Sequence, residues 1–246
     1  MRKNKRSYIP FNETPENPEK IYPEVNIFPE YIKKTLKFKE SDVLQVNIKY
    51  PVFAVKSNPV SEKKINTFYH SAVNSFVRYC EKNLYKSASA EHEISTQHKP
   101  FGAVVTFEIP YCNRNRGVLC VYLDINIYSG KGRGNITRKS QIWDIATGEL
   151  YSPGRIINLN KPMKKRIREY ILKTMEHQYL DTNIPEAYQQ NINKYLNINN
   201  LYLSDNGYTF YYPQGTIAPH DNGIIDFTIP ENVLRGDNQS NKKMMK

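Results

Sequence analysis

Residues 101–144 read FGAVVTFEIPYCNRNRGVLCVYLDINIYSGKGRGNITRKSQIWD, and this stretch decides the fold. Three runs rich in Val, Ile, Phe and Tyr alternate apolar and polar positions, and two segments rich in Asn, Arg and Gly separate them. Alternation with period two is what a half-buried strand requires, and short polar links between such runs predict a meander of three antiparallel strands. Asp144-Ile-Ala-Thr-Gly148 reads as the tight turn that ends the run. Trp143, just before that turn, is expected in the core or at its rim.

Working outward toward the N-terminus, VLQVNIKYPVF (43–53) sets Leu44, Val46, Ile48 and Tyr50 against Val43, Gln45, Asn47 and Lys49, and predicts the first regular strand. Ser61 offers a helix N-cap with Glu62 in the first turn. After it, Ile65, Phe68, Tyr69, Ala72, Val73, Phe76, Cys80 and Leu84 form an apolar stripe at spacings of three and four, which predicts a long helix. Residues 10–40 are rich in Pro and Glu and read as an extended arm able to dock through Ile21, Val25, Ile27 and Phe28.

Toward the C-terminus, Met163, Ile167, Tyr170, Ile171 and Met175 share one face of a helix over 161–180, with Pro162 in its first turn. An Asn-rich stretch follows, with a short helix around Pro185 to Leu196. Residues 201–213 form a hairpin turning at Ser204 to Gly207, and 223–230 form a last strand. The predicted class is α+β, a mostly antiparallel sheet with two main helices on one face, organised as two small subdomains meeting near residue 140. The expected boundaries are an arm over 1–40, an N-terminal subdomain over 41–140, a C-terminal one over 141–234 and a disordered basic tail over 235–246.

The 246 residues carry a formal charge of +11, but 24 Lys and 26 Asn against 11 Arg are what an AT-rich genome imposes whatever the function. The N-terminal tail holds +4 and the C-terminal tail +3. Between them, residues 131–173 hold eleven basic and three acidic residues, while 181–230 hold one basic and five acidic, so the body is electrically two-sided. No apolar run reaches the ~20 residues that span a bilayer, and the polar, Pro-rich start does not read as a secretory signal. Three cysteines are too few for a disulfide framework and favour a reducing compartment. A turn centred on Arg116 would nevertheless set Cys112 opposite Cys120, either as a disulfide or as two small half-buried apolar residues.

Tyr128-Ser-Gly130, SQIWDIATGEL (140–150), the basic amphipathic helix after it and NLYLSDNGYTFYYPQGTIAPHDNGIIDFTIP (200–230) together form a recognisable pattern. It resembles the extracytoplasmic domain shared by RsiV-type anti-sigma factors and the accessory region of PdaC-type peptidoglycan deacetylases. Tyr202-Leu203, Gly207, Phe210-Tyr211-Tyr212, Ile217-Ala218-Pro219, Gly223 and Ile229-Pro230 carry the strongest match. Residues 41–128 resemble the companion domain that precedes it, so the likeness covers roughly 41–234. In those relatives the module recognises lysozyme or accompanies work on cell-wall glycan. Where the family has a Gly-Gly-Ala-His run, this chain reads Gly130-Lys-Gly-Arg-Gly134. The five histidines, His70, His92, His98, His177 and His220, form no paired Asp–His motif of a metal-dependent deacetylase, so neither catalysis nor a metal site is carried over.

Within SGKGRGN (129–135), glycines that free the backbone flank Lys131 and Arg133, which suits an anion such as phosphate or carboxylate; a plain inter-strand loop is the simpler reading. It lacks the Lys-Ser/Thr ending of a P-loop. Arg138 extends that basic loop, and Tyr212, His220 and Asp221 flank the loop 212–222. The His–Asp pair supports acid–base chemistry only if a substrate proton lies within reach. The expectation is a non-catalytic module recognising a lysozyme-like protein or peptidoglycan-like glycan through the surface near 129–135 and 212–222, without cofactor. The alternative is an intracellular nucleic-acid binder using the 131–173 patch, and a hydrolase with no identified site comes third. A Gram-positive source and a cytoplasmic location complete the expectations.

Overall fold

The computed structural model describes residues 23–95, 99–113, 116–130, 134–178 and 186–235. The first element is a strand, β1 (Val25–Phe38), antiparallel to β2 (Ser41–Val55). They join through Lys39 and Glu40, whose φ values of 46° and 65° are the left-handed pair that a two-residue hairpin requires. The arm expected over 1–40 is thus corrected to a strand for residues 25–38; residues 1–22 lie outside the described residues. As an edge strand, β1 leaves Phe28, Tyr31, Lys33 and Lys34 exposed and sends Val25, Ile27, Ile32, Leu36 and Phe38 toward the core, so its alternation is faint in the sequence. Pro29 faces Pro51 across the pair. Two opposed prolines fit only a non-hydrogen-bonded pair, where each missing N–H would have pointed outward.

The helix that follows, α1 (Pro59–Tyr79), is capped by Asn58 and not by the expected Ser61. The Asn58 side chain accepts the Ser61 N–H at 3.1 Å, with Pro59 opening the first turn. Ser61 is buried, and its hydroxyl donates to the Ile145 carbonyl at 2.7 Å. A π turn (Cys80–Leu84) continues the helix into α2 (Tyr85–Ile94), beyond its expected end. The wider turn passes the buried stripe from Ile65, Tyr69, Val73 and Val77 on to Cys80, Leu84 and Ala88, while Ala72 is exposed.

The helical run returns the chain beside β2 as β3 (Phe101–Asn113), which pairs parallel to it over Leu44–Ile48. Antiparallel β4 (Val118–Tyr128), β5 (Asn135–Asp144) and β6 (Glu149–Leu150) complete a six-stranded sheet in sequence order, so the expected meander is present and one strand longer. Past Ile48, where β3 leaves β2, helix side chains take over the strand edge. The Asn66 amide accepts from the Phe53 N–H and donates to its carbonyl, both at 2.8 Å, and Glu62 accepts the Val55 N–H at 2.9 Å. Trp143 is in the core at 3% exposure; its Nε1 donates to the Tyr69 hydroxyl at 2.9 Å, which donates in turn to Gln141 at 3.3 Å.

Asn113 faces Val118 across the β3–β4 turn, so Tyr111 sits opposite Cys120 and Cys112 opposite Leu119. That register is one residue from the expected one, and a slip of one residue sends side chains to opposite faces. Cys112 is exposed, Cys120 is buried and no disulfide joins them, which corrects the bridged alternative.

Burial pushes the Cys80 thiol up to about 11. Burial, with the Glu30 carboxylate that accepts its hydroxyl, pushes Tyr50 up to about 12. The folded state holds these protons after the unfolded chain, with values of 9.0 and 10.0, has begun to release them. Their stabilising contribution is therefore complete below pH 9 and is lost as pH rises through the interval to 12. The urea midpoint is expected to fall steadily between pH 9 and pH 11; a flat profile there would contradict the burial of both groups.

The first compact unit ends at Leu150 and the second begins at Tyr151, which corrects the expected division near 140: β5 runs through that position. The second unit comprises α3 (Pro153–Ile156), α4 (Lys161–Gln178), α5 (Glu186–Tyr195), β7 (Leu201–Ser204), β8 (Gly207–Tyr212), β9 (Ile225–Ile229) and α6 (Glu231–Arg235). The strands form an antiparallel sheet in the order β7-β8-β9. Asn160 caps α4 by accepting the Met163 N–H at 3.0 Å, and Met163, Ile167, Ile171 and Met175 are buried as expected. The hydroxyls of Ser204, Thr209 and Thr228 link the three strands at 3.2 and 2.9 Å. Arg235, placed in the tail by the sequence, ends α6, and residues 236–246 lie outside the described residues. The whole is an α+β fold with mostly antiparallel sheets.

Candidate functional site

The second unit contains a cleft of 520 Å³ where the start of α4 meets the end of α5. Asn158, Leu159 and Lys164 form one wall; Lys194, Tyr195 and the turn carrying Leu196, Asn197, Ile198 and Asn200 form the other, with Pro213 beside them. Local chemistry fixes this shape. Asn160 accepts the Lys164 N–H at 3.0 Å through its carbonyl, so the first turn of α4 starts beside Asn158. After α5, the Asn197 side chain accepts the Asn199 N–H at 2.9 Å and its carbonyl accepts the Asn200 N–H at 3.0 Å, a tight Asx-type turn. The Asn200 carbonyl then accepts the Tyr211 N–H at 3.0 Å and anchors the turn to the sheet.

Helix α5 is held in place by two further bonds. The Tyr212 hydroxyl donates to the Ile192 carbonyl at 3.2 Å, and the Asn191 amide donates to the Thr216 carbonyl at 2.8 Å. Burial pushes the Tyr212 hydroxyl's pKa upward, so it remains a donor at neutral pH. Electrostatically the cleft is one-signed: its walls carry two lysines and no carboxylate. Among the described residues, neither Lys164 nor Lys194 forms an ion pair, and the Asn158 and Asn200 side chains make no hydrogen bond. Lys194 Nζ lies 5.0 Å from the centroid of the Tyr195 ring.

A second cleft, of 510 Å³, lies in the first unit around Glu24, Lys56, Asn58 and Glu62. Its polar groups serve the fold: Glu62 accepts the Val55 N–H, Asn58 caps α1 and donates to the Ala146 carbonyl at 2.8 Å, and Lys56 lies 3.9 Å from Glu24.

The residues singled out by sequence fall in the first unit, in the second, or outside the described residues. Lys131 and Arg133 lie outside the described residues. Arg138, in the first unit, is 10% exposed and bound to Asp124 through two bonds of 2.8 Å, with its guanidinium 3.9 Å from the Tyr122 ring centroid. Tyr212 is buried, so its part is to position α5 and not to meet a ligand. His220 and Asp221 are exposed in a short turn, where Gln214 clasps His220 by donating to its carbonyl at 2.9 Å. The basic stretch 131–173 is divided, Arg138 and Lys139 falling in the first unit and Arg155 to Lys173 in the second. Of the cleft residues, Asn158, Leu159 and Lys164 fall within the basic stretch 131–173 and Pro213 in the loop 212–222 that the sequence points to; those of 194–200 escaped, the run of asparagines at 197, 199 and 200 being the one signal there. Among the described residues, no group of three or more His, Cys, Asp or Glu side chains is placed to hold a metal ion, and no helix is long and apolar enough to cross a membrane.

Two α+β units, one built on a six-stranded sheet and one on a three-stranded sheet, therefore define the class of this protein. Residues 38–136 match the family described as Deacetylase PdaC, and residues 149–232 match the family described as a protein of unknown function, DUF3298. Two solved structures of DUF3298 family proteins share the fold. One, from Bacteroides fragilis, has 16% identity and a TM-score of 0.65 and covers 88% of this chain and 94% of its own. The other, from Pseudomonas aeruginosa, has 15% identity and a TM-score of 0.58, covering 89% and 94%. No curated protein sequence matches the chain. The expected resemblance to PdaC-type proteins is thus present, over residues 38–136, and the family matched by the second unit, which includes residues 200–230, is one of unknown function.

Proposed function

We propose that this chain is a non-catalytic binding module that recognises a protein or glycan of the cell envelope. The observation that carries this reading is the one-signed cleft of the second unit, in which Lys164 and Lys194 form no ion pair and the Asn158 and Asn200 side chains no hydrogen bond among the described residues. The resemblance to PdaC-type peptidoglycan deacetylases, with residues 38–136 matching the family described as Deacetylase PdaC, directs the choice of ligand toward cell-wall material. A general polyanion binder using 131–173 is less well supported, because within that stretch Arg138 is held by Asp124, Lys165 lies 3.8 Å from Glu169 and Arg166 donates to the Leu234 carbonyl at 2.6 Å.

The test is retention of the purified chain on peptidoglycan, immobilised lysozyme and RNA in parallel at physiological salt. Retention on peptidoglycan or lysozyme is expected. Retention on RNA alone, weakening steeply with added salt as counterion release demands, would replace this reading with the polyanion one.

A further inference from the structure

We infer that the cleft between α4 and α5 is a binding site for an acidic sugar: a polyhydroxylated ligand bearing one carboxylate or phosphate. This rests on the proposed envelope function and names the ligand chemistry of its site. Lys164 and Lys194 approach the cleft from different helices, so an anion placed between them meets two cations fixed by two independent elements. No carboxylate in the walls competes for either, and neither is ion-paired among the described residues. Charge-assisted hydrogen bonds to such an anion are the stronger kind.

The amides specify the rest of the ligand. Asn158 and Asn200 make no side-chain hydrogen bond, and Asn197 uses its oxygen on the Asn199 N–H. Each amide offers donors, and the first two also acceptors, which is the pairing that a hydroxyl, itself donor and acceptor, satisfies. Tyr195 adds an aromatic wall and a phenol beside them. A simple inorganic anion would leave those amides unused, and a neutral sugar would leave the two lysines uncompensated. The volume of 520 Å³ lies within the ~300–1,000 Å³ range of small-ligand sites.

The experiment is calorimetric titration of the full chain with four probes at fixed ionic strength: a glucuronate-containing tetrasaccharide, ribitol phosphate, neutral chitotetraose and inorganic phosphate. The first two separate carboxylate from phosphate as the source of the charge, and binding of either supports the inference. Each lysine contact is expected to contribute about tenfold in affinity. Lys164→Gln with Lys194→Gln should thus weaken the acidic probe by roughly a hundredfold, and Asn158→Ala with Asn200→Ala should also weaken it. Lys165→Gln, on the same helix but outside the cleft and 3.8 Å from Glu169, should leave binding unchanged. All these side chains are exposed or half-exposed, and unchanged circular dichroism establishes that each variant folds.

Equal affinity for chitotetraose, equal affinity for inorganic phosphate, indifference to the double lysine substitution, or no binding of either acidic probe at millimolar concentration would each overturn the inference. Its failure is separable from that of the envelope reading. Retention on peptidoglycan or lysozyme that survives the double lysine substitution removes the cleft and leaves the module's role standing. Absence of all retention by the unaltered chain removes the role, and the titration still decides the cleft.

Discussion

Replacing Gly148 by alanine is expected to destabilise the first unit by about 3 kcal/mol, the sum of a left-handed backbone and a collision. Gly148 has φ +64°, and a Cβ built there would lie 2.7 Å from the Ser61 Cα and 2.8 Å from its carbonyl oxygen. Those are backbone atoms at the start of α1, pinned by the Asn58 cap and by the Ser61 hydroxyl on the Ile145 carbonyl, so neither partner yields cheaply. The 144–148 turn is the dock for the helix: Asn58 and Lys64 also donate to the Ala146 and Thr147 carbonyls, at 2.8 and 3.0 Å. Thermal unfolding followed by circular dichroism should show a fall of roughly 10 °C. Gly154→Ala, where a Cβ meets nothing within 4 Å, is the control and should melt near the unaltered protein. Equal melting of both variants would mean that the helix start is not held against the turn.

Tyr69→Ala is expected to be the more damaging change, at about 4 kcal/mol, because it opens a cavity and orphans a donor. Tyr69 is fully buried, packs its ring 5.5 Å from Phe53 and 6.0 Å from Trp143, and its hydroxyl is the acceptor for the Trp143 indole N–H. Tyr69→Phe separates the two causes. It keeps the ring and removes only the hydroxyl, leaving the indole N–H unsatisfied for a loss of about 1–3 kcal/mol. Chemical denaturation of both variants checks the ordering. A Phe variant as stable as the parent would show that the Trp143–Tyr69–Gln141 chain contributes packing alone.

Sequence legibility followed burial. The β3–β5 meander could be read because β3 alternates buried and exposed positions over its first half and short polar links separate the three apolar runs, and α4 because Met163, Ile167, Ile171 and Met175 recur at helical spacing. The edge strand β1 could not, since Pro29 and exposed lysines interrupt the period while its pairing to β2 supplies the order. Asn58-Pro59 was the better cap signal than Ser61, but choosing between them depends on Ser61 being claimed by the Ile145 carbonyl, a contact 84 residues distant. The cleft was illegible for a related reason: Lys164 and Lys194 sit on separate helices, and only the pinning of α5 by Tyr212 and Asn191 sets both in one wall system. Tyr212 and Arg138 attracted attention by residue type, yet their polar atoms are bound within the protein.

The three thiols differ in a way that makes the first unit report on itself. Cys112 is exposed at the end of a hairpin, whereas Cys80, in the π turn, and Cys120, in the centre of the sheet, are fully buried. A thiol-directed reagent added to the native chain therefore meets one fast position and two slow ones, and the held-up proton on Cys80 slows that position further. Release of the second and third equivalents clocks the opening of the helix and the sheet separately, without any engineered label.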